Sequence, residues 1–149
     1  MRTTAVLFAD AASVREGLLN VLGAGITRLA RDPLPGRLDA VLALMLQSDD
    51  PEDLQADHNL EVTITETTAD GPNVIAKAVM QLSTHPSGAP GDTTDLLPTL
   101  PLVVPLQNVS IPRTGIYRIT TSLDGQEGIA YTFEVVKAPE QLPTGEDNQ

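Results

Sequence analysis

Apolar and polar residues alternate in short runs along this chain, and Gly, Pro and Asp break the runs at intervals of roughly 10 to 15 residues. A period of two is the mark of a strand with one face buried. Leu60, Val62 and Ile64 show it against Glu61, Thr63 and Thr65. Beyond the turn residues Asp70-Gly71-Pro72-Asn73 the run Val74, Ala76, Ala78, Met80, Leu82 repeats it, which predicts a hairpin. In all, the pattern predicts about eight strands: 4–9, 18–22 with a continuation into 26–29, 38–46, 60–65, 74–82, 102–109, 117–123 and 129–136. Gly23 and Gly25 interrupt the second of these and predict a bulge or a close backbone approach.

Segment 38–46 fits two periods, because Leu38, Val41, Leu42 and Met45 would also line one face of a helix. We read it as a central strand, whose burial on both faces leaves it continuously apolar. At most one short helix is expected, at Asp50-Pro51-Glu52-Asp53. Asp50 suits the N-cap, Pro51 the first helical position, and the carboxylates complement the positive end of the helix dipole. Pro105 marks an edge strand or an irregularity. Segment 86–101 has no period and reads as a long connection. Residues 138–149 are polar and acidic and read as a disordered tail, which leaves one domain over 1–137.

The run Ile111-Pro112-Arg113-Thr114-Gly115-Ile116-Tyr117 carries the strongest structural signal. Gly115 permits a positive φ, and the Tyr117 hydroxyl is placed to reach back to a nearby backbone carbonyl, as at the corner of an antiparallel sandwich. Asp124 and Gly125 predict a tight turn joining the last two strands. The expected fold class is all-β: a single antiparallel β-sandwich of Ig-like or fibronectin-like type.

A chain of 149 residues is long enough to bury about two-thirds of its unfolded surface in one core. No run approaches the ~20 apolar residues of a membrane span. Asp10, Arg15 and Glu16 stand where a secretion leader would be apolar, so the expected location is cytoplasmic, away from membranes. The absence of Cys removes disulfides, thiolate chemistry and Cys-based zinc sites. A net charge of −11 repels phosphate backbones, and Arg28, Arg31, Arg37 and Lys77 are too interrupted by Asp32 and Asp39 to make a basic patch. Nucleic acid is therefore not an expected partner. Aromatics at 3% and no Trp also weaken a reading built on stacking platforms for sugars or single strands.

Candidate chemistry is sparse. Asp49, Asp50, Asp53 and Asp57, with His58, form an acidic loop in which a hard cation such as Ca²⁺ would find carboxylate oxygens, although the spacing matches no EF-hand. Helix capping is the simpler reading. His58 opens a strand, and His85 lies beside Ser83 and Ser87 in a Pro-flanked loop. Neither comes with a nucleophile elbow, so no catalytic residue and no cofactor is expected. Gly23-Ala24-Gly25 lacks the third Gly, the following helix and the Lys of a phosphate-cradling loop. The expected function is that of a non-catalytic interaction or assembly module, because an open sandwich has edge strands on which a protein partner or a second copy can pair. A ligand- or Ca²⁺-binding domain using the end loops is the alternative, with a hydrolase more remote.

The string Leu7-Phe8-Ala9-Asp10-Ala11-Ala12-Ser13-Val14, followed by Glu16-Gly17-Leu18 and Leu22-Gly23-Ala24-Gly25, resembles the opening of a family of small bacterial proteins of unknown function. The resemblance extends to His58, to Asp70-Gly71, to Pro112, Gly115 and Tyr117, and to Asp124-Gly125, and covers 4–136. The chain departs from the family at Leu18, where Lys is common, and at Ala24, where Gly is frequent. The resemblance implies a compact β-sandwich in the bacterial cytoplasm, with no catalytic residues to carry over.

Overall fold

The computed structural model describes residues 1–48, 50–83 and 99–139. Period-two alternation resolves there into an all-β protein. Its twelve strand segments are β1 (Arg2–Ala9), β2 (Ala11–Arg15), β3 (Leu18–Leu22), β4 (Arg28–Arg31), β5 (Gly36–Arg37), β6 (Val41–Gln47), β7 (Asp57–Thr68), β8 (Gly71–Ser83), β9 (Thr99–Pro105), β10 (Ser110–Ile111), β11 (Gly115–Leu123) and β12 (Gln126–Lys137). A single 3-10 turn, Pro51–Gln55, joins β6 to β7. The strands form a three-stranded sheet of order β1-β6-β9, a five-stranded sheet of order β4-β12-β11-β7-β8, and the small pairs β2-β3 and β5-β10.

The two larger sheets share one apolar core. Val6 and Phe8 of β1, Leu42, Leu44 and Leu46 of β6, and Val104 of β9 meet Leu60, Val62 and Ile64 of β7, Tyr117 and Ile119 of β11, and Phe133 and Val135 of β12. Rings tie the layers together: Phe8 of the first sheet lies 4.8 Å from Phe133 and 5.9 Å from Tyr131 of the second. Strand β6 is buried on both faces, as its apolar run predicts. Val41 and Ala43, on the side away from the core, are also buried, because the β2-β3 hairpin packs near β6 and β9.

Several expectations are corrected. Among the described residues the strand segments number twelve rather than about eight, Ala11–Arg15 and the short pair β5-β10 being among those the pattern did not show. The pairing is not wholly antiparallel: 26–29 is no extension of β3, and its C-terminal half belongs to β4, which runs parallel to β12. Gly23 and Gly25 are not inside a strand. They sit in the connection from β3 to β4 with φ of 65° and 91°, and the Gly25 N–H donates to the Phe8 carbonyl at 3.0 Å. Val74 does not share a face with Ala76, because the register shifts there: Ile64 faces Ala76 while Thr65 faces Val74, leaving Ile75 as an extra residue. The short helix is a 3-10 turn capped by Asp50, whose side chain accepts from the Glu52 N–H at 3.0 Å. Asp49, His85 and residues 84–98 and 140–149, including most of the acidic tail, lie outside the described residues.

The closing hairpin follows the reading of the sequence apart from a register shift between Thr120 and Ser122, which leaves Ile129 exposed. Tyr117 pairs with Phe133, Ile119 with Tyr131 and Leu123 with Gln126. Asp124 and Gly125 make a two-residue turn, both at positive φ (51° and 78°), the mirror-image geometry that suits strand twist. At the opposite end Gly115 has φ 153°, and the Tyr117 hydroxyl donates to the Arg113 carbonyl at 2.7 Å.

Candidate functional site

Strand β7 points His58, Leu60, Val62, Ile64 and Glu66 inward, and all five are buried. The inward row thus begins and ends on an ionisable residue. A charge so placed needs a partner, since its desolvation is otherwise uncompensated. Both partners flank the neighbouring strand β11, with Asp124 after its end and Arg113 before its start.

His58 is 5% exposed. Its Nδ1 lies 2.7 Å from Asp124 Oδ2, and its Nε2 lies 2.7 Å from the backbone carbonyl of Asp53 in the 3-10 turn. Both neighbours are acceptors, so only the imidazolium, with a proton on each nitrogen, satisfies both. The hydrogen bond to Asp124 raises the pKa of His58 above the ordinary histidine value, against the opposing effect of burial. Burial pushes the Asp124 carboxyl up, but hydrogen bonds from His58 and from the Asn59 N–H outweigh it and bring Asp124 below the usual range. Asp124 is further locked to β7: its N–H donates to the Asn59 carbonyl at 2.8 Å, and its Oδ1 accepts from the Asn59 N–H at 2.8 Å.

The acidic loop is occupied by the same kind of internal bonding. Asp50 caps the 3-10 turn. The Asp53 carboxylate accepts from the Met1 ammonium at 2.6 Å, and Asp57 accepts from the Ser83 hydroxyl at 2.7 Å. Among the described residues no three His, Asp or Glu side chains converge as a metal would require. His58 has neither nitrogen free to act as a base, and Gly23 and Gly25 serve the β3–β4 connection. Gly115, Tyr117 and Gly125 all belong to the hairpin carrying β11.

At the other end Glu66 is 3% exposed and takes a two-pronged ion pair from Arg113, one prong from Nε and one from Nη2 at 3.0 Å. The hydrogen bonds from Arg113 hold the Glu66 carboxyl below its ordinary value, with help from Asn73. An open depression of about 610 Å³ lies over this pair, lined in part by Thr67, Thr68, Asp70, Asn73 and Thr114. The reading of the sequence missed Glu66 and Arg113. A charged residue two positions after Ile64 on an apolar face was the available signal for Glu66. Arg113 gave none, because its partner is 47 residues away in the chain.

The sheet edges differ in how well they are guarded. Strand β4 is four residues long and carries Arg28 and Arg31. Strand β9 includes Pro101 and Pro105, and the ladder of β1 is irregular between Thr3 and Ala5. Short length, charge, proline and irregular register all blunt an edge. Strand β8 has 13 residues and, among the described residues, pairs with β7 alone. Its single charge, Lys77, is neutralised by Glu61 at 2.9 Å. From Ala76 to Ser83 its register is regular, Val79 is 61% exposed, and Met80 and Leu82 are half-buried at the margin of the core.

No helix among the described residues is long and apolar enough to cross a membrane. A model of a family of unknown function, DUF6941, matches residues 4–136. No curated protein matches the chain. Among solved structures the chain is similar to the alkylpurine DNA glycosylase AlkC of Pseudomonas fluorescens bound to DNA containing an abasic site analogue, with a TM-score of 0.41 and 13% identity over 89% of this chain and 30% of that one. It is also similar to an immunoglobulin-like protein of Pseudomonas aeruginosa, with a TM-score of 0.40 and 16% identity over 91% of this chain and 95% of that one. The chain spans less than a third of the glycosylase's length.

Proposed function

The chain belongs to DUF6941, a family of unknown function, and from that premise we propose that it is a non-catalytic, cytoplasmic interaction module: a single Ig-like β-sandwich that takes up an extended segment of a partner protein along strand β8. The observation that carries this reading is the contrast among the edges. Three are short, charged, proline-bearing or irregular, while β8, beyond Pro72 and the register shift at Ile75, offers a regular run from Ala76 to Ser83 with one neutralised charge. Strand addition draws affinity from backbone hydrogen bonds and specificity from alternate side chains. The inward positions Ala76, Ala78, Met80 and Leu82 would set apolar residues of the partner against the margin of the core.

The non-catalytic part rests on how the ionisable groups are used. His58, Asp124, Glu66 and Arg113 are joined in pairs that fasten β7 to the ends of β11. A foreign strand is favoured over a second copy, because two chains of net charge −11 repel.

A photo-crosslinking amino acid placed at Gln81 on β8, with Arg28 on β4 as the control position, tests the proposal in cells. Position 81 should give one defined heterologous adduct and position 28 none. An adduct of twice the chain's mass would put a second copy in the partner's place. Equal labelling from both positions, or none from either, would refute the proposal.

A further inference from the structure

The connection from β6 to β7 passes from the three-stranded sheet to the five-stranded one, and the 3-10 turn Pro51–Gln55 lies on it. His58 is the first inward residue of β7 and meets this crossing at the Asp53 carbonyl. We infer that His58 is a proton-operated latch, holding the 3-10 turn against the end of the five-stranded sheet while both ring nitrogens carry protons and releasing the turn when one is lost. The inference stands apart from the role given to β8.

The mechanism follows from what each nitrogen faces. The imidazolium donates to the Asp124 carboxylate and to the Asp53 carbonyl at once. A neutral ring has one N–H. If that proton stays on Nδ1, where the carboxylate attracts it, the Nε2 lone pair confronts the carbonyl oxygen at a separation of 2.7 Å. The carboxylate is the stronger acceptor, and Asp124 is tied to Asn59 by two further bonds. The carbonyl of the 3-10 turn is therefore the partner that gives way. Among the described residues the charged groups around the ring are Asp124 on the β11–β12 turn, the Asp53 carboxylate with the Met1 ammonium on it, and Asp57 beside it on β7, which is bonded to Ser83. The Asp124 carboxylate and the Asp53 carbonyl favour the proton, while burial and the ammonium oppose it.

The direction of the pH effect is fixed by linkage. A histidine whose folded-state pKa is raised contributes its full stabilisation below the unfolded value of about 6.5 and loses it as pH rises through the folded value. The latch is therefore closed below about pH 6.5 and opens as pH rises through the raised folded-state value.

Nuclear magnetic resonance of the His85→Gln variant, which leaves a single imidazole, tests this. At pH 6.5 both His58 nitrogens should carry protons in the majority of molecules, with a titration midpoint above that pH. The amides of residues 52–56 should shift with the same midpoint and lose protection from exchange above it. In the His58→Gln variant, whose side chain does not titrate, the pH response of those amides should vanish. A His58 ring that is mostly neutral at pH 6.5 would overturn the inference. So would a turn whose amides ignore the titration, or one that keeps its pH response in His58→Gln.

Discussion

Phe8→Ala should lower the stability of the folded chain by about 3–5 kcal/mol, the range for removing a fully buried ring from a well-packed core. The chain has only two Phe and two Tyr and no Trp, and these four rings touch in one series. Phe8 contacts Tyr131 and Phe133, and Phe133 stacks on Tyr117 at 5.6 Å. Phe8 is the sole member contributed by the three-stranded sheet, so its ring joins one layer to the other. Deleting it opens a cavity where β1 meets β12, and β-sheets cannot close such a gap without shifting strands held by their ladders. Against a typical domain stability of roughly 5–15 kcal/mol, such a loss is a large share. Urea unfolding should show the midpoint falling with an unchanged slope. A loss below about 1 kcal/mol would mean that β1 does not pack on β12.

Gly23→Val should cost roughly 2–4 kcal/mol, through two separable effects. Gly23 has φ +65°, a conformation that a β-branched residue resists. A Cβ built there would also lie 2.2 Å from Asp10 Oδ2 and 2.8 Å from its Cγ. Asp10 forms the bend between β1 and β2, so the glycine allows the far end of the β2-β3 hairpin to fold back against the strand from which the hairpin springs. Adding Asp10→Gly to Gly23→Val removes the collision and leaves the backbone strain. The double variant should therefore recover part of the loss but not all of it. Full stability in the single variant by thermal unfolding would contradict this account of the connection.

Much of the fold was legible because local pattern and tertiary environment agree. Strand β6 reads as continuously apolar because it is buried on both faces, and the closing hairpin is fixed by Asp124 and Gly125 at positive φ. Strand β2 was not legible, since Ala11-Ala12-Ser13-Val14-Arg15 is mostly exposed and carries no clean alternation. The parallel pairing of β4 with β12 joins Leu29 to Val135 and has no local signature. Val74 was assigned to the wrong face because one extra residue at Ile75 inverts the parity, and a bulge is invisible to a count of alternating positions.

The site was legible in pieces. His58 stood out as one of two histidines, but its partners Asp124 and the Asp53 carbonyl come together only when β11 folds beside β7. The acidic residues around it suggested helix capping or a cation; Asp50 caps a turn, Asp53 holds an ammonium and Asp57 accepts from a serine. Glu66 breaks an apolar row in the sequence, and its meaning appears only with Arg113. Ionisable residues at both ends of one inward row are a pattern that sequence can show. Which residues answer them is settled by topology.

The proposed function requires β8 to be an open edge ready to accept another strand. In an antiparallel pair, successive residues direct their N–H groups alternately toward and away from the neighbour. Amide hydrogen exchange on the isolated protein at low concentration should therefore show a period of two across residues 76–83, with slow amides facing β7 and fast ones facing outward. Uniform protection along that run would show the edge already covered and would contradict the proposal.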